Sequence, residues 1–317
     1  MSVMSSAPRP ESVGNGVFAV DADYVRPGLA AVHLIQDGDE AAIVDTGVNG
    51  SVEPVLAAID ALGIPKSAVK LIILTHIHLD HAGGAGALMA ALPQARLVVH
   101  PRGFRHMVDP SRLEAGSRAV YGDAAFDQLY GRILPIPADR IIQTHEGHRL
   151  TLGGRTLRFL HTPGHAKHHH CIVDPVGGGI FTGDTFGIAY RSLRVDGRPY
   201  VFPTTTPVHF DPDAAEHSIR RLVETARQEG IDAAWLTHYS RVDNLSTLAD
   251  QLIAHVHALR QLALDGPDDL EEAVLQHLLT GARAHGHTAD DATLRDIMGF
   301  DATLNAQGLR HWRSTLS

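Results

Sequence analysis

Hydrophobic and polar residues alternate along the first part of the chain in a way that predicts strands and helices in layers. Short apolar runs broken by turn residues fill residues 16–47, and the Asp-Gly-Asp turn at residues 37–39 separates two of them, which is typical of a hairpin. Val52–Leu62 has apolar residues at helical spacing, and Leu71–Leu74 has the pattern of a buried strand. A small-residue helix is predicted over Gly83–Leu92, before another strand. This order of elements predicts an α/β (α+β) architecture.

The pattern changes from strands to helices in the second part of the chain. Hairpin patterns continue over residues 141–181, and Asp211–Glu229 has the spacing of an amphipathic helix. Residues 101–128 show no clear period and are predicted to be irregular and to wall a pocket. We predict a main domain over residues 1–244 and a C-terminal helical region over residues 245–317. The apolar stripes of that region indicate a lid or a surface for homo-oligomer formation.

Composition and charge narrow the classes of function. A hydrophobic content of 44% and a charged content of 20% are ordinary for a globular enzyme. The net charge of −9, with no basic cluster, argues against a nucleic-acid partner. The single cysteine, Cys171, cannot form an internal disulfide, and the polar segment Met1–Gly14 lacks the apolar core of a signal peptide. We therefore expect a cytoplasmic protein that acts on a small molecule and binds no membrane.

Four potential metal ligands follow directly after the predicted strand that ends at Leu74. His76 and His78 are two positions apart on extended backbone, so their side chains share a face and can converge on one ion. Asp80 and His81 follow where the chain turns and can reach a neighbouring position. Imidazole and carboxylate ligands favour Zn²⁺, with Fe²⁺ and Mn²⁺ as alternatives. The segment therefore predicts a metal site.

Three further candidate ligands each follow a predicted strand. They are His165 in the turn Thr162-Pro163-Gly164-His165, Asp184 after Phe181-Thr182-Gly183, and His238 after Trp235-Leu236-Thr237. Residues at strand ends can be held rigidly while loops shape a substrate pocket. Each signal alone is typical of a turn or cap residue. Their order after the first segment favours one shared site.

The pattern H-x-H-x-D-H at residues 76–81, followed by His165, Asp184 and His238, resembles the metallo-β-lactamase superfamily. The likeness is greatest to its glyoxalase II-like and lactonase-like branches, and it extends over about residues 16–239. This resemblance implies a four-layer αββα sandwich in which two mixed sheets lie face to face between helices. It places a metal site at one edge of the sandwich, and the C-terminal helices form an appendage.

The same resemblance implies how the ligands are shared and which reaction they serve. One ion would be held by His76, His78 and His165, the other by Asp80, His81 and His238, and Asp184 would bridge the two. Asp45, in the segment Val44-Asp45-Thr46-Gly47, resembles the aspartate that supports the metal loop. The two divalent ions, with zinc favoured, would generate a metal-bridging hydroxide, and Asp80 would accept and transfer the proton. This predicts a dinuclear hydrolase of a small ester, lactone or thioester.

Two other functions remain open at this point. One is a mononuclear non-haem iron oxygenase similar to the persulfide dioxygenases, and the other is a metal-binding protein of the same fold without turnover. The presence of both His81 and His238 favours two occupied sites over one. Tyr190, downstream of Asp184, is a candidate substrate contact. The three histidines at residues 168–170 are interpreted as the polar start of a strand, of which one could hydrogen-bond beside the ligands.

Overall fold

A computed structural model describes residues 10–205 and 207–316, so the first nine residues of the polar segment Met1–Gly14 lie outside the described part of the chain. The chain divides into two compact units. The first unit extends to His161 and also contains His170–Phe181, and the second contains Thr162–His169 and continues from Thr182. Within the described ranges, no helix is long and apolar enough to cross a membrane.

A seven-stranded mixed sheet lies in the first unit, with its strands adjacent in chain order. Its strands are β1 (Glu11–Gly14), β2 (Val17–Asp21), β3 (Ala31–Asp37), β4 (Glu40–Val44), β5 (Val69–Ile73), β6 (Arg96–Val99) and β7 (Ile141–Gln143). The strands from β1 to β4 pair antiparallel, and those from β4 to β7 pair parallel. Asp37 pairs with Glu40 across the turn between β3 and β4, which confirms the hairpin predicted at residues 37–39.

Six helices belong to the first unit. They are α1 (Val52–Ala61), α2 (Leu79–Ala82), α3 (Ala85–Ala91), α4 (Pro101–Val108), α5 (Ser111–Tyr121) and α6 (Asp123–Leu129). The helix predicted over Gly83–Leu92 is α3, and the shorter α2 precedes it. The prediction that residues 101–128 are irregular is wrong. Helix α5 packs against the core only through half-buried side chains such as Leu113 and Tyr121, so the apolar period of its sequence is weak.

A second sheet contains six strands. They are β8 (Arg149–Leu152), β9 (Arg155–His161), β10 (His170–Asp174), β11 (Gly179–Gly183), β12 (Ala233–Leu236) and β13 (Ser240–Asp243). In the first unit β8, β9, β10 and β11 follow one another as antiparallel neighbours, and in the second unit β12 pairs antiparallel with β13. The pairing of Leu152 with Arg155 confirms the predicted hairpin at residues 153–154.

Long helices make up most of the second unit. They are α7 (Pro212–Glu229), α8 (Leu245–Asp265), α9 (Leu270–His285) and α10 (Asp291–Ser314). The amphipathic helix predicted over Asp211–Glu229 is α7, and the all-helical character predicted after residue 244 is confirmed by α8 to α10. The last of these helices, α10, continues to Ser314, and its buried face extends from Leu294 to Trp312.

Candidate metal centre

The first half-site comprises His76, His78, Asp80 and His81, and it lies in the first unit directly after β5. Extended chain carries the first two residues, and the short helix α2 carries the other two. The Nε2 atom of His76 lies 2.8 Å from Nδ1 of His78, and Nε2 of His81 lies 3.5 Å from a carboxylate oxygen of Asp80. All four predicted ligands of this segment therefore offer donor atoms in one small region of the first unit.

A buried carboxylate, Asp45, holds this half-site from the end of β4. The side chain is 1% exposed, and its Oδ1 accepts the backbone N–H of Thr75 at 2.8 Å. Its Oδ2 lies 2.8 Å from Nδ1 of His81. Because a carboxylate accepts a hydrogen bond from the N–H at Nδ1, the imidazole of His81 keeps the lone pair on Nε2 for a metal ion.

Close backbone contacts fix the loop around α2. The backbone N–H and the hydroxyl of Thr46 both donate to the carbonyl of His81 at 2.7 Å. A Cβ atom on Gly84 would lie 2.8 Å from the carbonyl oxygens of Thr46 and Val48. Only glycine leaves room for this approach, so the glycines after the ligands serve the packing of the loop against the chain that follows Asp45.

The second half-site comprises His165, Asp184 and His238, which all belong to the second unit. The Nε2 atom of His165 lies 3.3 Å from Oδ2 of Asp184, and Nε2 of His238 lies 3.7 Å from Oδ1 of the same carboxylate. All three side chains are buried. Each oxygen of one carboxylate therefore faces a different imidazole, which is the arrangement that allows a carboxylate to serve two ions.

Backbone and side-chain contacts orient this second half-site. Nδ1 of His165 lies 2.9 Å from the carbonyl oxygen of Thr204, so Nδ1 carries the proton and Nε2 keeps its lone pair. The backbone N–H of Asp184 donates to Nε2 of His169 at 3.2 Å. Nδ1 of His169 lies 3.0 Å from the hydroxyl of Thr162. Among the three consecutive histidines at residues 168–170, His169 therefore forms a hydrogen bond with the candidate ligand Asp184.

Both half-sites fit divalent metal ions by the chemistry of their donors. His81 and His165 each have Nδ1 against an oxygen acceptor, which leaves Nε2 as the coordinating atom. Imidazole nitrogens and carboxylate oxygens are the ligands of zinc and similar ions in proteins. A cluster of histidine and aspartate donors of this kind is consistent with divalent metal binding.

Tyr190, predicted as a substrate contact, is buried in the second unit. Its hydroxyl donates to Oδ1 of Asp301 at 3.1 Å, and its ring stands nearly perpendicular to that of His238 at a centroid distance of 6.5 Å. The substrate contact stays a prediction. The support from Asp301 and Thr204 had no signal in the sequence, because Thr204 acts through its backbone carbonyl and Asp301 lies far along the chain.

Comparison with known proteins assigns the chain to a family. A family model described as the metallo-beta-lactamase superfamily matches residues 25–226, which is more than half of the chain. The chain therefore belongs to the metallo-β-lactamase superfamily. Two sheets flanked by helices, with further helices at the C-terminus, form the α+β sandwich that the resemblance implied.

Individual relatives share part of the sequence. Metallo-beta-lactamase fold-containing protein ST1585 from Sulfurisphaera tokodaii is 28% identical over 215 residues, which cover 66% of this chain and 74% of the relative. Its crystal structure matches with a TM-score of 0.65 at 23% identity and covers 93% of this chain and 98% of its own. Acyl-coenzyme A thioesterase MBLAC2 from Gallus gallus is 26% identical over 204 residues, covering 59% of this chain and 68% of that protein. Hydroxyacylglutathione hydrolase from Aeromonas hydrophila is 29% identical over 168 residues, covering 53% and 51% respectively.

Proposed function

We propose that this protein is a metal-dependent hydrolase of a small thioester or ester, with two divalent ions shared by the two half-sites. One ion would be held by His76, His78 and His165, the other by Asp80, His81 and His238, and Asp184 would serve both. The proposal is supported by the chemistry of the donors, since all seven residues offer an imidazole nitrogen or a carboxylate oxygen.

The observation that carries this proposal is the orientation of the imidazoles within each half-site. The proton of His81 is directed to Asp45 and that of His165 to the carbonyl of Thr204, at 2.8 and 2.9 Å. Outer contacts of this kind are what metal-binding histidines require. In each of these two histidines the other nitrogen, Nε2, lies near a carboxylate oxygen of another candidate ligand, Asp80 at 3.5 Å for His81 and Asp184 at 3.3 Å for His165.

The residues of the chain would supply binding and proton transfer. Bound ions would polarise the acyl carbonyl and lower the pKa of water so that hydroxide is available near neutral pH. Asp80 is suited to move the proton, because its side chain is 23% exposed whereas the other carboxylate, Asp184, is buried. Water would add to the acyl carbon, the carbon–sulfur bond would break, and Asp80 would pass the proton from the water to the departing thiolate.

A small recess lies beside the second half-site. His165 and Asp184 form part of its wall, together with the apolar side chains of Phe210, Ile219 and Leu252. Apolar walls with a few polar groups are typical of sites for small molecules. Among acyl bonds we favour the thioester, because two similar proteins are named acyl-coenzyme A thioesterase and hydroxyacylglutathione hydrolase.

Metal quantitation followed by a hydrolysis screen tests the proposal. The purified chain should contain about two zinc or similar ions and should cleave thioesters faster than lactones or phosphodiesters. A chelator should abolish the activity and added zinc should restore it. His257→Ala, at an exposed histidine of α8, is the matched control and should keep both metal and activity. One iron per chain with oxygen uptake, or two ions without hydrolysis of any substrate class, would contradict the proposal.

A further inference from the structure

Two polar residues of the C-terminal helix α10, Asp301 and Asn305, are buried in the second unit. They are four positions apart, so they lie on the same face of the helix, and they are 8% and 1% exposed. Burial of polar groups is unfavourable unless they are hydrogen-bonded. The partners of these two side chains therefore show what this face of α10 holds in place.

Asn305 holds the loop that orients His165. Its Oδ1 accepts the backbone N–H of Thr205 at 2.7 Å, and its Nδ2 donates to the carbonyl of Pro203 at 2.9 Å. The hydroxyl of Thr205 also donates to the backbone carbonyl of Asn305 at 2.9 Å. Thr204 lies between the two fixed peptide groups, and its carbonyl is the one 2.9 Å from Nδ1 of His165. The amide of Asn305 is thus two hydrogen bonds away from a candidate ligand.

Asp301 supports the other imidazole of the same half-site. It accepts the hydroxyl of Tyr190 at 3.1 Å, in a buried contact. The ring of Tyr190 stands edge-on to the rings of both His238 and Phe202, with centroid distances of 6.5 and 6.0 Å. Because the hydroxyl is anchored, the ring has one orientation in which it can pack against His238.

We infer that α10 positions the second half-site, with Asn305 acting through Thr204 on His165 and Asp301 acting through Tyr190 on His238. This inference rests on the proposed function, because it assigns these two residues to the support of metal ligands. Neither residue touches a candidate donor atom, so both are positioning residues. The C-terminal helix would therefore set metal affinity, which goes beyond a role as a lid or as an oligomer surface.

Zinc affinity of the full chain, measured by competition with a chromophoric chelator and without substrate, tests the role of Asn305. Asn305→Leu removes both hydrogen bonds of the side chain and should weaken the affinity for one zinc ion about 10-fold or more. Asn305→Asp keeps an acceptor for Thr205 but places a buried carboxylate oxygen against the carbonyl of Pro203, so it should also weaken the affinity. Met298→Ala, at a buried apolar position of α10, is the control: it should lower thermal stability through a cavity and leave zinc affinity unchanged.

The role of Asp301 is tested by variants that break the same hydrogen bond from either side. Asp301→Leu and Tyr190→Phe should each weaken zinc affinity, and the double variant should be no weaker than the more affected single variant, because one contact is lost in all three. Asp301→Asn retains an oxygen acceptor for the tyrosine hydroxyl and should restore the affinity of the wild-type chain.

The outcomes separate this inference from the proposed function. Folded Asn305 and Asp301 variants that lose thermal stability as Met298→Ala does, but keep wild-type zinc affinity, would overturn the inference alone. Weakened zinc affinity in a chain that hydrolyses no substrate would support the inference and contradict the proposed hydrolase. A wild-type chain that binds no divalent ion would overturn both.

Discussion

Replacement of Asp45 by asparagine tests whether the tautomer of His81 is set by the chain. Asp45 accepts the N–H and the hydroxyl of Thr75 and also faces Nδ1 of His81. In Asp45→Asn, the amide oxygen must stay with the N–H of Thr75, so the amide NH₂ turns toward His81. Nδ1 must then accept a hydrogen bond instead of donating one, which moves the imidazole proton to Nε2. That nitrogen can no longer bind a metal ion.

The magnitude of this effect follows from the contact that is lost. A hydrogen bond to a charged group contributes about 1.5–3 kcal/mol. Loss of the partner behind a metal-binding histidine weakens metal affinity about 10–100-fold. That factor corresponds to about 1.4–2.8 kcal/mol at about 1.4 kcal/mol per factor of ten. The two energy ranges overlap, so we expect Asp45→Asn to weaken the affinity for one zinc ion about 10–100-fold.

The measurement is an equilibrium zinc competition on folded protein, with thermal unfolding of the metal-free chain as a check of structure. Asp39→Asn makes the same chemical change on the exposed hairpin turn between β3 and β4 and should leave zinc affinity unchanged. If Asp45→Asn binds both zinc ions as tightly as the wild type, the contact of 2.8 Å between Asp45 and Nδ1 of His81 does not determine which nitrogen binds the metal. The proposed control of the His81 tautomer by Asp45 would then be refuted.

Three further predictions address the ligands, the core and the pH dependence. His78→Ala should abolish hydrolysis. The circular dichroism and the unfolding midpoint of the metal-free chain should stay close to wild type, because this side chain is only partly buried. Hydrolysis that survives the substitution would exclude His78 as a ligand. Asp174→Ala should lower the free energy of unfolding in urea by about 3 kcal/mol, since the 1% exposed guanidinium of Arg155 loses its partner at 2.7 Å and keeps the more distant Asp37 at 3.5 Å. A loss below about 1 kcal/mol would show that the pair is not needed. Burial, and to a smaller extent the nearby imidazole of His277, lowers the pKa of His255 from 6.5 to about 4. As the pH falls, this histidine is therefore protonated at a higher pH in the unfolded chain than in the folded chain. This contribution to stability is complete above pH 6.5 and should be lost, by up to about 3 kcal/mol, as the pH falls from 6.5 to about 4; His255→Gln should lose less stability over that range, and an equal loss would refute the assignment.

Elements with strong local signals could be predicted from the sequence. Helix α7 begins after Asp211, whose side chain accepts the N–H of Ala214 at 3.0 Å, and ends at Gly230 with a left-handed φ of 68°. The hairpins at residues 37–39 and 153–154 likewise depend on turn residues that act over a few positions. The candidate ligands share this property, since each follows a strand or a turn that the pattern reveals.

Helices with few large apolar residues on the inner face are hard to predict. Helix α5 packs against the core only through half-buried side chains, among them Leu113 and Tyr121, so its apolar period is weak. In α10 the buried face continues to Trp312, but two of its positions are the polar residues Asp301 and Asn305. These two residues contact Tyr190 and the loop at residues 203–205 beside the candidate site.

The ends of strands position the candidate ligands in the half-sites. Hydrogen-bond acceptors from elsewhere in the chain determine which nitrogen of His81 and His165 is available to a metal ion. Asp45 lies 36 residues from His81, and Thr204 lies 39 residues from His165. The first acceptor is a charged carboxylate inside the residues matched by the family model, whereas the second is a backbone carbonyl held by α10, which lies beyond the matched residues 25–226. Proteins that share all seven candidate ligands can therefore differ in the support of His165, and we expect differences in metal affinity among them to depend on their C-terminal helices.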